Sequence, residues 1–222
     1  MRHDTADSFT WHLNIDGASL VLPDIDLAKL KNRFLSKAPN AAASWKRFQE
    51  IWQNDTCRTF ILPRIYLSAP AAFGIGMIET LGPDADFHVW SADDILTELL
   101  LDTASTLLLF QMHRAAVGHL RKWLPQNLHI VKIRHPETPA AIRRVFEAFE
   151  QTGTSRPKNV VQTPHGSLAP PKSRCALIEL GDAPAVFPLE SRCFPCDAAN
   201  CLYDQLDICP HSFFGEGDLV FS

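Results

Sequence analysis

Leu27, Leu30 and Phe34 recur at three- and four-residue intervals, and Trp45, Phe48 and Trp52 repeat the rhythm further along. Apolar positions spaced this way share one face of an α-helix. The pattern predicts helices over 26–34 and 41–52, with Asp24 and Asp26 as caps for the first and Asn40 and Ser44 near the entry to the second. The longest periodic stretch runs from Ser91 to Trp123 through Leu96, Leu99, Leu100, Leu107, Leu108, Met112, Ala115 and Leu120. Ser91 with Asp94 three residues on suits a helix start, and Pro125 cannot continue the helix. Ile142, Val145, Phe146 and Phe149 predict a shorter helix over 139–150. Alternating or β-branched runs predict strands within 9–22, 58–68, 73–81 and 175–180. Gly82-Pro83-Asp84 reads as a turn, and the Thr-, Gly-, Pro- and Ser-rich stretch 151–173 reads as a loop or lid.

Composition narrows the class. Apolar residues are 46% and charged residues 21% of 222, the balance of a folded globular protein. A net charge of -4, without a cluster of Lys and Arg among aromatics, gives no electrostatic footprint for nucleic acid. The stretch 95–112 is interrupted by Glu98 and Asp102 and reads as a buried helix, not a membrane span. The first residues lack the apolar core of a secretory signal, so six cysteines are expected as reduced thiols in the cytoplasm.

Four of those six lie within seventeen residues: Cys193, Cys196, Cys201 and Cys209, with two, four and seven residues between them. A CxxC turn brings two thiolates within about 4 Å of each other, which tetrahedral zinc or an iron–sulfur cluster requires. Two further thiolates complete a four-ligand site. A [4Fe–4S] cluster is expected, with zinc as the alternative; free thiols in a tail are the plain reading, which four cysteines within seventeen residues disfavour. Cys57 and Cys175 flank strands and read as small buried hydrophobes. Asp102 stands among apolar residues and needs a partner, a structural hydrogen bond or a ligand. His113 and His119 on the same helix read as interface histidines. No Ser-His-Asp order, phosphate loop or dinucleotide fingerprint occurs.

Several segments, in order, resemble the activation domain of vitamin B12-dependent methionine synthase, and more closely its short stand-alone relatives in corrinoid systems that carry a C-terminal Cys cluster. They are MIETLGPD leading into DDILTELLLDTASTLLLFQMHRAAVGHLRK, then IRHPETPAAIRRVFEAF, VVQTPHGSLAPPKSRCALIEL and CFPCDAANCLYD. The resemblance covers about two thirds of the chain. It implies an α+β fold, a twisted and mainly antiparallel sheet flanked by helices, with a Cys-rich tail. It divides the chain into an N-terminal segment packing on the core (1–66), an activation-domain-like core (67–182) and the tail (183–222), all one globular unit. It implies a ligand-facing side carrying Arg134, Pro136, His165, Lys172 and Ser173. Glu137 and Thr138 replace the family's Gly-Tyr pair, which alters charge and backbone clearance where S-adenosylmethionine would lie. The implied role is an accessory protein of corrinoid-dependent methyl transfer, acting on a corrinoid-binding protein or methyltransferase that carries cobalamin, with no nucleic acid and no membrane. A zinc-stapled binding or assembly module without redox chemistry, or an S-adenosylmethionine-binding protein with an altered loop, are the alternatives.

Overall fold

The computed structural model describes residues 10–15, 18–54, 61–72, 74–82, 94–136, 138–183, 187–188, 201–209 and 220–221. Its centre is a six-stranded sheet in the order β2-β1-β3-β4-β8-β5. The strands are β1 (Thr10–Ile15), β2 (Ala18–Pro23), β3 (Arg64–Leu67), β4 (Ile75–Thr80), β5 (His129–Arg134) and β8 (Ser173–Gly181). Every pairing is antiparallel except β1 with β3. Two-residue strands β6 (Val161–Gln162) and β7 (Leu168–Ala169) form a small hairpin, and β9 (Phe187–Pro188) pairs with β10 (Val220–Phe221). The chain is therefore a mixed α+β protein on a mainly antiparallel open sheet, with five helices among the described residues.

The helices follow the apolar spacing. Helix α1 (Leu27–Lys37) is capped by Asp26, whose carboxylate accepts from Lys29 N, and buries Leu30 and Phe34. Helix α2 (Ala42–Trp52) buries Trp45, Phe48 and Trp52; neither Asn40 nor Ser44 caps it, since the cap residue is Ala41 and offers no side-chain bond. Asp24 is not a cap. Its Oδ1 accepts from the indoles of Trp11 (3.0 Å) and Trp52 (3.3 Å), which ties the first hairpin to α2. Helix α3 (Ile95–Trp123) starts later than the periodicity suggests, because Asp94 is the cap and accepts from Leu96 N; Ser91 lies outside the described residues. By length and composition α3 could cross a bilayer, but 61% of its most apolar window is buried within the protein.

Strand alternation sorts the core into two layers. Met77, Ile75, Ala176 and Ile178 face α3 and the large core shared with α1 and α2. Ile78 and Cys175 face helix α4 (Pro139–Gln151), which buries Ile142, Val145, Phe146 and Phe149. Cys175 is 4% exposed, and burial pushes its thiol up to about 12. Cys57 lies outside the described residues. The β6–β7 hairpin adds order within the stretch expected to be a loop, and strand β5 is an element that the spacing does not predict. His129–Arg134 is too short for its period to stand out, and it is held as an edge strand by β8.

Two glycines allow the layers to close. Gly74 has φ +129° and a Cβ there would lie 2.2 Å from the Ile178 carbonyl oxygen. At Gly76 a Cβ would meet Val145 O at 2.9 Å and the Phe149 ring at 3.0 Å, so α4 packs directly on bare backbone. Gly76→Val is expected to cost about 1–3 kcal/mol by overpacking, whereas Gly118→Ala, with open space around it on α3, should gain up to about 1 kcal/mol. Urea-unfolding midpoints of the two variants check both signs.

Candidate functional site

Helix α3 turns 100° per residue, so Asp102, Thr106, Phe110 and His113 fall within about 80° of one another, along about 16 Å of axis. This stripe faces the end of the sheet where β4 and β5 finish and β8 begins, and it carries two charged clusters.

The inner cluster is built around Glu79 of β4, which is 0% exposed. Oε1 lies 3.0 Å from His113 Nδ1, at hydrogen-bond distance. Arg174, the cross-strand partner of Glu79, brings Nε to 3.1 Å from Oε2. That is ion-pair distance, yet among the described residues Oε2 has no hydrogen-bond partner, so the guanidinium attracts it without an aligned N–H. The Arg174 guanidinium also lies 3.2 Å from His135 Nδ1 and packs over Phe110 at 5.1 Å. The rings of His113 and His135 are 5.1 Å apart. His113 Nε2 is buried with no hydrogen-bond partner among the described residues.

The outer cluster joins the tail to the body. Lys172 ion-pairs with Asp102 and lies 3.3 Å from Thr106 Oγ1. Asp102 Oδ2 accepts from the Tyr203 hydroxyl at 2.9 Å. Burial, then the Asp102 charge and hydrogen bond, push the Tyr203 phenol well above its ordinary range. Tyr203 belongs to the one-turn helix α5 (Leu202–Gln205); Cys201 stands at its N-cap position without a side-chain bond. Arg33 of α1 holds Asp207 by two contacts, at 3.0 and 3.2 Å, and Ile208 is 0% exposed in the main core. The segment 201–209 is thus docked on α1 and α3, with Cys201 and Cys209 partly exposed at its two ends.

The residues singled out from the sequence are divided between the α3 and α4 sides of the sheet. Arg134 ends β5 and pairs with Glu179, whose carboxylate raises the guanidinium pKa. Pro136 is half-buried just beyond it, and Glu137 lies outside the described residues. His165 is exposed in the β6–β7 turn, which touches the start of α4 through Gln162 Nε2 and Pro139 O at 3.0 Å. Ser173 donates to Thr80 Oγ1 at 2.9 Å, and Lys172 serves Asp102. Arg134, Lys172 and Arg174 are thus each matched by a carboxylate. Cys193 and Cys196 lie outside the described residues, and among those described no three His, Cys, Asp or Glu groups converge on one ion. What Cys201 and Cys209 offer is a pair of soft thiol donors on a docked segment, a donor type suited to zinc or iron–sulfur ligation.

Glu79, Tyr203 and Asp207 escape a reading of the sequence. For Glu79 a signal exists, a carboxylate inside the apolar run IGMIET. Tyr203 and Asp207 have none, since their partners lie 101 and 174 residues away.

No family model, curated protein or solved structure matches the chain.

Removing Glu79 would leave Arg174 and His113 facing a buried gap, so Glu79→Ala is expected to cost about 3–5 kcal/mol in chemical denaturation. The Cys175 thiol should also make stability fall with alkali. Its folded pKa is raised from 9.0 to about 12, so between those values the unfolded chain loses a proton that the folded chain keeps. Unfolding free energy is expected to drop across pH 9–12, and Cys175→Ala should flatten that part of the pH dependence.

Proposed function

We propose that the protein is an accessory factor of corrinoid-dependent methyl transfer, with Cys193, Cys196, Cys201 and Cys209 holding one inorganic centre. The observation that carries this reading is the spacing of the four cysteines, at the end of a chain whose segments resemble the methionine synthase activation domain in their order. The mixed α+β architecture on a mainly antiparallel sheet is consistent with that family. When bound, a [4Fe–4S] cluster would supply one electron at low potential to an inactive cob(II) centre on a partner, itself being re-reduced by a one-electron donor.

The chain's own residues then have defined tasks. The thiols of Cys201 and Cys209 stand on a segment fixed to the body, which keeps the centre near the surface. Arg134, Pro136, His165, Lys172 and Ser173 are the residues offered to the corrinoid partner. Glu137 and Thr138, in place of Gly-Tyr, add a negative charge and bulk where S-adenosylmethionine would approach. Corrinoid reduction without that cofactor is the consequence.

The docking of 201–209 also suits a second reading, in which zinc staples the tail and the protein serves as a binding or assembly module. Anaerobic purification with metal analysis separates the two. Brown protein with iron, broad absorbance near 400 nm and reduction of a partner's Co(II) are expected; colourless protein with stoichiometric zinc would favour the staple, and no metal of either kind would sink both.

A further inference from the structure

The segment 201–209 meets elements remote in the chain at two polar points and one apolar one. Tyr203 donates to Asp102 on α3 at 2.9 Å. Asp207 takes two atoms of the Arg33 guanidinium of α1, Nε at 3.2 Å on Oδ2 and Nη2 at 3.0 Å on Oδ1. A fork of this kind is stronger and more directional than a single contact. Ile208 is wholly buried in the main core, and Tyr203 and Leu206 pack partly against it. Within the segment, Asp204 N and Gln205 N donate to Cys201 O, Leu206 N to Leu202 O, Asp207 N to Asp204 O and Ile208 N to Tyr203 O. These bonds give the segment a shape of its own. What holds that shape to the body is slighter: helix α5 packs broadly on no other described element, and the two halves of the fork are 23% and 35% exposed.

We propose that 201–209 is a salt-sensitive strap, which opens and closes as one unit while the sheet and the long helices stay folded. The inference needs no metal and is independent of the reading given above. A segment opens more readily the less apolar surface and the fewer bonds it shares with the rest of the fold. Here one isoleucine supplies most of the apolar anchor. The fork adds a charge attraction that water reaches, so dissolved ions screen it; the Debye length falls from about 10 Å at 0.1 M salt to about 3 Å at 1 M. The closed strap is the resting state at low ionic strength. Rising salt weakens the fork, and opening lifts Tyr203 off Asp102, leaves that carboxylate to Lys172 and bares the place of Ile208 in the core.

Native-state amide exchange on the full-length protein reads the strap and the core separately. Wild type, Arg33→Gln and Asp207→Asn are compared at about 0.1 M and about 1 M sodium chloride. Asn tolerates the φ of +53° at position 207 as Asp does. In the wild type the amides of Gln205, Leu206, Asp207 and Ile208 are expected to share one opening constant, to exchange faster than those of β4 and β8, and to speed up with salt while β4 and β8 do not. Arg33→Gln should raise strap exchange by about fivefold, the effect of a partly exposed ion pair, abolish the salt response and leave β4 and β8 unchanged. The Arg33→Gln/Asp207→Asn pair should be no faster than either single change. Arg33→Lys keeps the charge and loses the fork, so it should give an intermediate rate and retain the salt response; it carries the test if circular dichroism shows Arg33→Gln unfolded. Strap amides that exchange at the rate of β4 and β8 would overturn the proposal, and so would an equal salt response in wild type and Arg33→Gln.

Discussion

A carboxylate with no contact with water sets the rotation of the longest helix in this protein. Glu79 is buried between β4 and α3, and an ionised group there is tolerable only if His113 and Arg174 both reach it. The apolar residues around α3 supply the larger share of the energy, at about 1.5–3 kcal/mol for each fully buried Leu or Met side chain. They do not choose a rotation, because α3 is buried on most of its circumference. The His113–Glu79 contact chooses it, since other rotations would strand Glu79 with one partner. Once His113 is fixed, Asp102 on the same stripe is aimed at Lys172 and Tyr203. The Asp102 attachment of the tail thus shares a helix stripe with the buried cluster about 16 Å away, while Arg33 and the core around Ile208 hold the tail independently.

That dependence explains what the sequence could and could not reveal. Helical periods carry α1, α2, α3 and α4 to within a few residues, because each packs an amphipathic or apolar surface whose spacing is local. Asp102 announces its need for a partner by interrupting an apolar run, and the partners found are Lys172 and Tyr203. Strand β5 does not show, since six residues at a sheet edge are specified by β8 and not by their own pattern. Asp26 and Asp94 cap where Asp24 and Ser91 compete for the role. At that range the choice is made by side-chain geometry: Asp24 is taken by two tryptophan indoles.

Of the five residues expected to face a ligand, Arg134 stands opposite Leu177 on the α4 side of the sheet, whereas Lys172 reaches Asp102 on the α3 side. Arg134 and Lys172 are already matched by Glu179 and Asp102. A surface of matched pairs presents shape and hydrogen-bonding groups more than net charge.

The claim on which the functional reading turns is that the tail thiols share one inorganic centre. X-ray absorption at the metal edge of anaerobically isolated full-length protein tests it directly. A first shell of sulfur alone, at about 2.3 Å if the ion is zinc, is the expected result. A shell of nitrogen and oxygen would contradict it.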